Sequence, residues 1–529
     1  MKARRFLAVV LAVTLLLFSL GVGAWWLVWQ RSPLQLQQQE LVPPRSARFV
    51  PRDAALSLYL LTDAEQPLAY ARAVAPPRQR RQAREAVAQL RDGAFAAAGL
   101  DYSGELASWL GPETGLWVLA DQVGSPGGWV LALSSRDADG ARRFLQRFWQ
   151  TRSLAGTELQ VSSYRGMGLI SGRGALLGRE PVPLATALID DDLVLVASGR
   201  GALEQALDVS QIDELNQAAD PLLQRRLGQL QQGVALLVAR PDALQAWLGG
   251  GGLALPGRGV VAALRPEGRE LVLDGWLESS AAAADGAPAP RSGSAAKGAA
   301  LLEALHGPAT AVALLQDPAQ WPEDWQALLQ PLLLRAGDPG PVPALVLAGA
   351  GGPVLWRQGE GGWLLGTSPG QPEPAELAPR LQDLGLVPAP LDLDGHPVQV
   401  WTRLQVGAGQ RHKGPAAEQL AVALGAASTE QGGWTWWSDA LEPLAQQHRG
   451  RAQATALLAR FDALALPQAP LQWVLARQPA QELLQHWSGW RILAALAGQS
   501  VVEPVQGLAL GLQSEPDGLR WRVRIDYGS

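Results

Sequence analysis

Residues 184–207 read LATALIDDDLVLVASGRGALEQAL, and this short stretch contains the elements that decide the fold. Two apolar runs, 184–189 and 193–197, are separated by three aspartates, which favour a tight turn and predict a β-hairpin. A helix is predicted directly afterwards, at 201–208. Because so short a turn can join only antiparallel strands, the stretch indicates an antiparallel sheet with a helix following it.

The same kind of pattern continues outward over residues 55–277. Hairpins predominate over strand–helix–strand crossovers, so the fold class that we expect is α+β, with mainly antiparallel sheets and helices on one face. The other elements predicted in this half are hairpins within 116–133, 159–171 and 259–277, helices at 82–98, 137–150, 219–231 and 241–248, and strands at 55–61 and 234–239.

Short motifs recur in the same order later in the chain, which indicates an internal duplication. GGWVL at 127–131 returns as GGWLL at 361–365, and Ala-Leu-Glu occurs at both 202–204 and 440–442. Each match is weak alone, but the conserved order favours two tandem homologous domains over chance.

Low-complexity stretches mark the predicted boundaries of these domains. Residues 279–300 are rich in Ala, Pro, Gly and Ser and are typical of an exposed linker. Residues 31–48 are rich in Gln and are typical of a stalk. The predicted organisation is a transmembrane anchor at 1–30, a stalk at 31–48, a first α+β domain at 49–278, a linker at 279–300 and a second α+β domain at 301–529.

The composition narrows the class of protein. The chain has 529 residues, a formal net charge of −5 and no cysteine. The acidic balance argues against a nucleic-acid partner. Without cysteine there are no disulfides, thiol nucleophiles or thiolate metal sites.

The N-terminal segment predicts a membrane anchor. Residues 6–29 contain no charged side chain, and a helix of that length, at about 1.5 Å per residue, can cross a hydrocarbon core about 30 Å thick. Basic residues before this run favour a single span with a cytoplasmic N-terminus and the bulk of the chain on the periplasmic or lumenal side. A cleavable signal peptide ending near 22–24 is the alternative. The residues chosen to represent the anchor are Phe6, Leu16, Trp25, Trp26 and Trp29.

No catalytic, cofactor-binding or metal-ligating residue is predicted. Residues 366–370 fit the pattern G-x-S-x-G, but Pro369 has no N–H for an oxyanion hole. The stretch 193–204 has Glu204 where a dinucleotide-binding loop needs its third glycine. The aspartates at 190–192 are interpreted as a hairpin turn rather than a cation site. The histidines, none at metal-ligand spacing from another, are His306, His396, His412, His448 and His486.

Tryptophans remain as candidates for binding. Gly-Gly-Trp occurs at 127–129, 361–363 and 432–434. A glycine turn that leads into a strand, with Trp packed under a helix, is one interpretation. The other places some indoles on a surface for lipid, pigment or a partner protein. The residues of that possible ligand or partner surface are Trp129, Trp363, Trp434, Trp436 and Trp437.

A cluster of arginines at the start of the helix predicted over 82–98 has two interpretations. Arg78, Arg80, Arg81 and Arg84 fall within seven residues. They form either a solvated helix face or a contact with anionic lipid.

Three stretches carry a resemblance to a known family: FVPRDAALSLYLL (49–61), GGWVLALSSRD (127–137) and residues 184–207. They resemble an uncharacterised family of membrane-anchored bacterial proteins, frequent in cyanobacteria, over most of 49–527 and better in the first half. The resemblance implies an envelope or thylakoid-facing protein and brings no catalytic residue. The function that we expect is a non-enzymatic, membrane-tethered interaction or assembly protein without cofactor. A binder of lipid or another apolar ligand is the alternative, and an enzyme is the third possibility.

Overall fold

A computed structural model of the chain describes residues 32–120, 127–152, 159–174, 181–248, 259–278, 294–321, 341–359, 361–407, 419–450, 455–466, 469–515 and 518–528. Its strands are β1 Leu56–Leu60, β2 Leu110–Val118, β3 Trp129–Ser135, β4 Gln160–Tyr164, β5 Met167–Gly174, β6 Val182–Ile189, β7 Leu193–Ala197, β8 Ala235–Ala239, β9 Gly259–Glu267, β10 Glu270–Glu278, β11 Ala311–Leu315, β12 Val354–Gly359, β13 Gly362–Thr367, β14 Val387–Leu393, β15 His396–Gly407, β16 Gln419–Gln431, β17 Trp434–Ser438, β18 Leu471–Ala476, β19 Gly507–Glu515 and β20 Gly518–Asp526.

The α-helices are α1 Gln66–Val74, α2 Arg80–Ala97, α3 Ala138–Arg152, α4 Arg200–Val209, α5 Pro221–Leu230, α6 Pro241–Leu248, α7 Ser294–Glu303, α8 Val342–Gly349, α9 Pro374–Asp383, α10 Leu441–Arg449, α11 Thr455–Leu464, α12 Arg477–His486 and α13 Ser488–Ala497. Short 3-10 helices occur at Pro33–Gln38 and Arg45–Phe49. The chain is therefore a mixed protein of helices and antiparallel strands, as the hairpin-rich sequence predicts.

The chain divides into two compact units. The first consists of Met1–Leu237, Ala263–Arg269 and Ala495–Gln499. The second consists of Val238–Ala262, Glu270–Ala494 and Ser500–Ser529. Strand β10, which precedes the predicted linker, thus belongs to the second unit.

In the first unit the strands pair antiparallel in the order β4-β5-β6-β7-β3-β2-β1. Short connections join β4 to β5 and β6 to β7, while α3 and the β4–β6 segment lie between β3 and β7 in sequence. Beyond β1, the N–H of Leu61 donates to the carbonyl of Val234 at 2.8 Å. This bond places the segment that leads into β8 beside β1.

The second unit repeats this order strand by strand. Its strands pair as β14-β15-β16-β17-β13-β12-β11, followed by β18, β19, β20 and β10. The repetition extends to single bonds, because the N–H of Gln316, just after β11, donates to the carbonyl of Pro470, just before β18, at 2.8 Å. This bond is the counterpart of the one between Leu61 and Val234 in the first unit.

Helices pack on both faces of each sheet, so the expectation of helices on one face is wrong. All of β7 and all of β11 are buried. In β11, Ala313 and Leu315 belong to the core under α8, α9 and α12, whereas Val312 and Leu314 belong to the core under α7, α10 and α11. In the first unit, α3 and α4 both contact β3. Unbroken apolar runs such as LVLVA at 193–197 are typical of strands buried on both faces, and this is the signal that hairpin counting overlooks.

The segments predicted as stalk and linker are partly folded. Within 31–48, Leu36, Leu41 and Ala47 are buried among the polar residues that give the segment its stalk-like composition. Helix α7 begins within the predicted linker 279–300 and buries Leu301 just beyond it, because alanine is the strongest helix former. No helix in the described ranges is long and apolar enough to cross a bilayer, and the predicted span 6–29 lies outside them.

Strand β10 is joined to β20 by a charged ladder. Asp274 accepts from Arg522 at 2.5 Å and from Arg520 at 3.2 Å, and Glu270 accepts from Arg524 at 2.6 Å. All of these side chains are half-buried or more, so β10 covers one side of the last strand.

Candidate interaction surface

The Gly-Gly-Trp motifs at the starts of β3 and β13 are close-packing sites. A Cβ atom added to Gly128 would lie 2.7 Å from Ser198 Oγ and 2.9 Å from Ala202 Cβ. One added to Gly362 would lie 2.6 Å from Asp439 Oδ1. Only glycine therefore lets α4 and α10 begin against these strands. The recurrence of the motif is explained by the fold.

The side chains that approach these glycines also bind the strand. The N–H of Trp129 donates to Ser198 Oγ at 2.8 Å, and the N–H of Trp363 donates to Asp439 Oδ1 at 3.3 Å. Burial raises the pKa of Asp439, an effect that the bond from Trp363 opposes. Ser198 and Asp439 thus have matching structural roles in the two units.

The tryptophans predicted as a surface mostly belong to the interior. Trp363, Trp436 and Trp437 are buried, while Trp129 and Trp434 are half-buried and pack against core clusters. The ring of Trp363 stacks on Trp356 with centroids 5.6 Å apart. The five do not form one exposed groove. The anchor residues Phe6, Leu16, Trp25, Trp26 and Trp29 lie outside the described residues.

Three of the buried indoles in the second unit have an unsatisfied donor. Trp363, Trp401 and Trp437 belong to one apolar cluster of the second unit, and in the described structure no acceptor bonds to their Nε1 atoms. By contrast, Nε1 of Trp321 in the same cluster donates to the carbonyl of Gln316 at 2.9 Å. A buried donor without a partner costs about 1–3 kcal/mol, so these three groups are a costly feature of this core.

An exposed apolar patch lies on β14, β15 and β16 of the second unit. The side chains of Val387, Leu404 and Val422 are 64%, 68% and 69% exposed. Leu404 and Val422 are directly opposite each other on β15 and β16. We call these three residues the arm patch, and the paired segments 402–407 and 419–424 the arm.

The arm patch continues a buried face of the sheet. Thr402 of β15 pairs with Val387 of β14, so these two residues lie on the same face of the sheet. Side chains two residues apart on one strand also share a face. Val398, Val400 and Leu404 therefore point to the same side, where Val398 and Val400 are buried in the core. Beyond Val387, β15 has only β16 as a neighbour in the described chain. The apolar face thus runs out of the core onto a two-stranded extension.

In the part of the first unit that the structure describes, no extension of this length occurs at the matching place. Its hairpin strands β5 and β6 have 8 residues each, whereas β15 and β16 have 12 and 13. Sequence reasoning missed the arm, although polar and apolar residues alternate in RLQV (403–406), which is a usable signal that the strand continues beyond Trp401.

A cleft of about 950 Å³ in the first unit lies at the start of α4, beside the glycine-containing stretch 193–204. Its lining includes the carboxylates of Asp53, Glu204 and Asp208, and Asp208 accepts hydrogen bonds from Tyr164 and an arginine. The bond from Tyr164 holds the pKa of Asp208 below its usual value. Arg52 also lines the cleft, and Glu204 pairs with Arg200 at 2.7 Å, so the lining is of mixed charge.

The second unit contains a buried arginine with a single hydrogen bond in the described structure. Arg357 is fully buried, and its Nη1 donates to the carbonyl of His306 at 2.9 Å. Its Nε and Nη2 have no partner in the described structure. Burial lowers the pKa of Arg357 to about 10. The counterpart of Arg357 in the first unit is Trp117 of β2, which is also buried. Arg357 comes just before the residue that pairs with Trp363, and Trp117 comes just before the residue that pairs with Trp129.

Two histidines that are distant in sequence meet in the second unit. The rings of His396 and His448 have centroids 4.2 Å apart, and Thr429 Oγ1 lies 3.3 Å from His448 Nε2. Burial, together with the charge that His396 can carry, lowers the pKa of His448. In the parts of the chain that the structure describes, no group of three or more His, Asp or Glu could hold a metal ion.

The remaining sequence motifs are structural. Residues 190 and 191 have left-handed backbone conformations in the β6–β7 turn, and the aspartates at 190–192 pair with Arg45 and Arg142. In the G-x-S-x-G stretch, the N–H of Gly370 donates to Thr435 Oγ1 at 3.1 Å, which fixes a turn after β13. The stretch is therefore a turn that follows a strand.

Comparison with known families identifies the chain. The model of a family described as a protein of unknown function, DUF3352, matches residues 9–300. The protein belongs to this family. No curated protein matches the sequence.

Among solved structures, three crystal forms of TP0453 are similar to parts of the chain. Form IV has 10% sequence identity and a TM-score of 0.25, covering 44% of this chain and 79% of that one. Form I has 10% identity and a TM-score of 0.27, covering 45% and 79%. Form III has 11% identity and a TM-score of 0.27, covering 49% and 87%. Scores of this size do not establish a common fold.

Proposed function

We propose that this member of the family is a membrane-tethered, non-enzymatic interaction or assembly protein. Residues 6–29 form its single span, the N-terminus is cytoplasmic, and the bulk of the chain lies on the periplasmic or lumenal side. A partner protein binds the arm patch. The exposed pair Leu404 and Val422 is the observation that carries this proposal.

Exposed apolar pairs on a two-stranded extension favour a binding role over a folding role. An isolated pair of strands is only marginally stable in water, so an arm is expected to gain order from a partner that covers it. At 68% and 69% exposure, Leu404 and Val422 contribute little to the core of their own chain. Burying such side chains in an interface contributes about 1.5–3 kcal/mol each, which is enough to govern the affinity of a partner.

A photocrosslinking experiment tests the proposal in native membranes. A photoreactive phenylalanine analogue at position 404 of the full chain should give a specific adduct that mass spectrometry identifies. The matched control is position 403, because neighbouring residues on a strand face opposite sides and Arg403 is also exposed. Equal adducts at both positions, or none at either, would contradict a partner on the arm patch.

The proposal includes an internal duplication that produced two homologous domains. The repeated strand order, the matching hydrogen bonds after β1 and β11, and the paired close-packing glycines support it. A member of the family with a single copy should fold as one complete sheet in the order seen for β1–β7. A single-copy chain with a different strand order in its solved structure would contradict the duplication.

Binding of a lipid or other apolar ligand is the second candidate, and the three unsatisfied indoles favour it. A ligand with an apolar body and a carbonyl or ether oxygen would supply the acceptor that Trp363, Trp401 or Trp437 lacks. Protein purified from native membranes in mild detergent should then carry one lipid or pigment at constant stoichiometry by native mass spectrometry. Trp401→Phe, which removes one donor, should lower that occupancy. A detergent-purified protein without a bound small molecule argues against this candidate.

A further inference from the structure

The corner between α1 and α2 forms a concentrated positive surface. It carries five arginines, all of them exposed, over residues 72–84. Within this stretch and the next turn the only acidic residue is Glu85, whose Oε1 lies 3.5 Å from Nε of Arg81. The whole chain has a formal net charge of −5, so this corner is opposite in sign to the protein that carries it. The arginines of the corner are Arg72, Arg78, Arg80, Arg81 and Arg84.

The placement of these arginines is unfavourable for the helix itself. Helix α2 begins with Arg80 and Arg81, no acidic residue lies in its first turn, and Gln79 before it makes no side-chain cap. Positive charges near a helix N-terminus oppose the helix dipole, where aspartate or glutamate would stabilise it. Residues that break a local rule without a structural gain are expected at functional sites.

The chain that follows the predicted span is bound to the same helical hairpin. In the 3-10 helix Pro33–Gln38, Leu36 packs against Tyr70 and Val74 of α1, and Gln37 Nε2 donates to Tyr70 Oη at 2.8 Å. From the last residue of the span at 29 to residue 33, the chain can extend at most about 14 Å. A span in the bilayer therefore holds α1 close to the membrane surface.

We propose that the α1–α2 corner binds the anionic headgroups of the membrane that carries the span. This proposal rests on the membrane tether proposed above. The positive charge of the corner and the short chain segment between it and the span both favour an anionic lipid as the ligand. Each arginine is attracted to an anionic membrane surface, and this attraction falls off within a Debye length. Because the short tether keeps all five arginines near the surface, their binding and the insertion of the anchor reinforce each other. The contact fixes the orientation of the first unit on the membrane.

The absence of cysteine from the chain allows a clean test on the full-length protein. A single cysteine replaces Gln82, which is exposed on α2 between the arginines, and carries a fluorescent label. The protein is reconstituted in vesicles of phosphatidylcholine with or without phosphatidylglycerol, each doped with a lipid that has a quenching nitroxide on its headgroup. The control label replaces Gln146, which is exposed on α3 of the same unit.

The expected result is strong quenching at position 82 in the anionic vesicles and little in the neutral ones. Salt at about 1 M, where the Debye length falls to about 3 Å, should remove the difference. The variant Arg78→Gln, Arg80→Gln, Arg81→Gln, Arg84→Gln should lose the quenching too. The control variant has the same change in net charge, with Arg→Gln substitutions at the exposed residues Arg143, Arg147, Arg173 and Arg200. It should keep the quenching at position 82.

The outcomes separate this proposal from the tether on which it rests. If the protein does not stay with floated vesicles after an alkaline wash, the membrane tether itself is wrong. If it stays with them but the label at position 82 is quenched no more than the label at 146, or equally in neutral and anionic vesicles, the headgroup contact alone is overturned. Circular dichroism of the quadruple variant, expected to match the parent because all four side chains are exposed, rules out misfolding as the cause.

Discussion

Replacing Arg357 with methionine should stabilise the second unit, which is an unusual expectation for a buried residue. The guanidinium is fully buried and makes one hydrogen bond, to the carbonyl of His306. No carboxylate of the described residues is its partner, and two of its nitrogens have no acceptor there. The side chain therefore carries a charge into an apolar core without the compensation that buried charges normally have.

The pKa of Arg357 gives the size of this penalty. Its fall from 12.5 to about 10 means that the folded state disfavours the charged form by about 3 kcal/mol, at about 1.4 kcal/mol for each pKa unit. Loss of the bond to His306 offsets about half of that, since hydrogen bonds from charged donors contribute about 1.5–3 kcal/mol. A net gain of about 1–2 kcal/mol remains, and it should raise the melting temperature by about 2–4 °C per kcal/mol.

The pH dependence follows from the same depressed pKa. Below pH 10 the guanidinium is protonated in both the folded and the unfolded chain, so the penalty is fully present and constant there. Only above pH 10, as the folded form releases its proton first, does the parent protein recover stability. The difference in melting temperature between Arg357→Met and the parent should therefore be the same at pH 6 and at pH 8.

Calorimetry of the full chain is the assay, and Arg460→Met is the control. Arg460 is a partly buried arginine of the same unit, but it is paired with Asp526 at 2.8 Å and donates to the carbonyl of Leu475 at 3.1 Å. Removing it leaves a carboxylate without its partner, so Arg460→Met should lower the melting temperature. If Arg357→Met also lowers it, the buried guanidinium is stabilising and the reasoning about its missing partners is refuted.

Three further outcomes are expected. Gly366→Ala should destabilise the second unit by about 1–3 kcal/mol, because a Cβ there would lie 2.7 Å from the ring of Trp436; an unchanged melting temperature would contradict this. Because burial lowers the pKa of His448, the parent should lose stability as pH falls through about 6.5, and His448→Gln should flatten this slope between pH 7 and 5. In urea, a fragment 259–529, which keeps β10 beside β20, should unfold at higher concentration than 294–529, which keeps all of α7 but lacks β9 and β10; equal midpoints would show that these two strands contribute nothing.

Most of the first half could be predicted from sequence because its elements are defined locally. The hairpin and helix of residues 184–207 lie within two residues of their predicted bounds, since turn formers and apolar spacing act over a few residues. Helix α1 was missed because its nine residues, Gln66–Val74, include a proline at the second position and give only a short periodic pattern. The layer on the second face was missed for a different reason, because burial of both faces depends on which distant helices return to the sheet.

The surfaces could not be predicted, because they depend on pairings between distant residues. The tryptophan of a Gly-Gly-Trp motif has the same local sequence whether it faces solvent or core, and only the approach of α4 or α10 decides between the two. The exposure of Leu404 depends on where β14 begins, since β15 and β16 have no other neighbour beyond Val387 in the described chain. Composition identified the arginines at 78–84, but their proximity to the segment that follows the predicted span became visible only when Leu36 was found against α1.

If the two halves arose by duplication, each serves as a control for the other. Positions at which both keep the same role, such as Ser198 and Asp439 beside the close-packing glycines, are explained by the fold that both must form. Positions at which they diverge are free of that requirement and need another cause. Among the described residues the arm has no counterpart of its length in the first unit. The five arginines of the corner precede β2, whereas the sequence between β11 and β12 contains a single arginine, Arg335. From this divergence we infer that the two halves have different functions, in which the first half contacts the membrane and the second half binds the partner.

Variants of the corner should then leave crosslinking at position 404 intact, and variants of the arm patch should leave quenching at position 82 intact. Loss of both signals in either set would show that the two surfaces act as one.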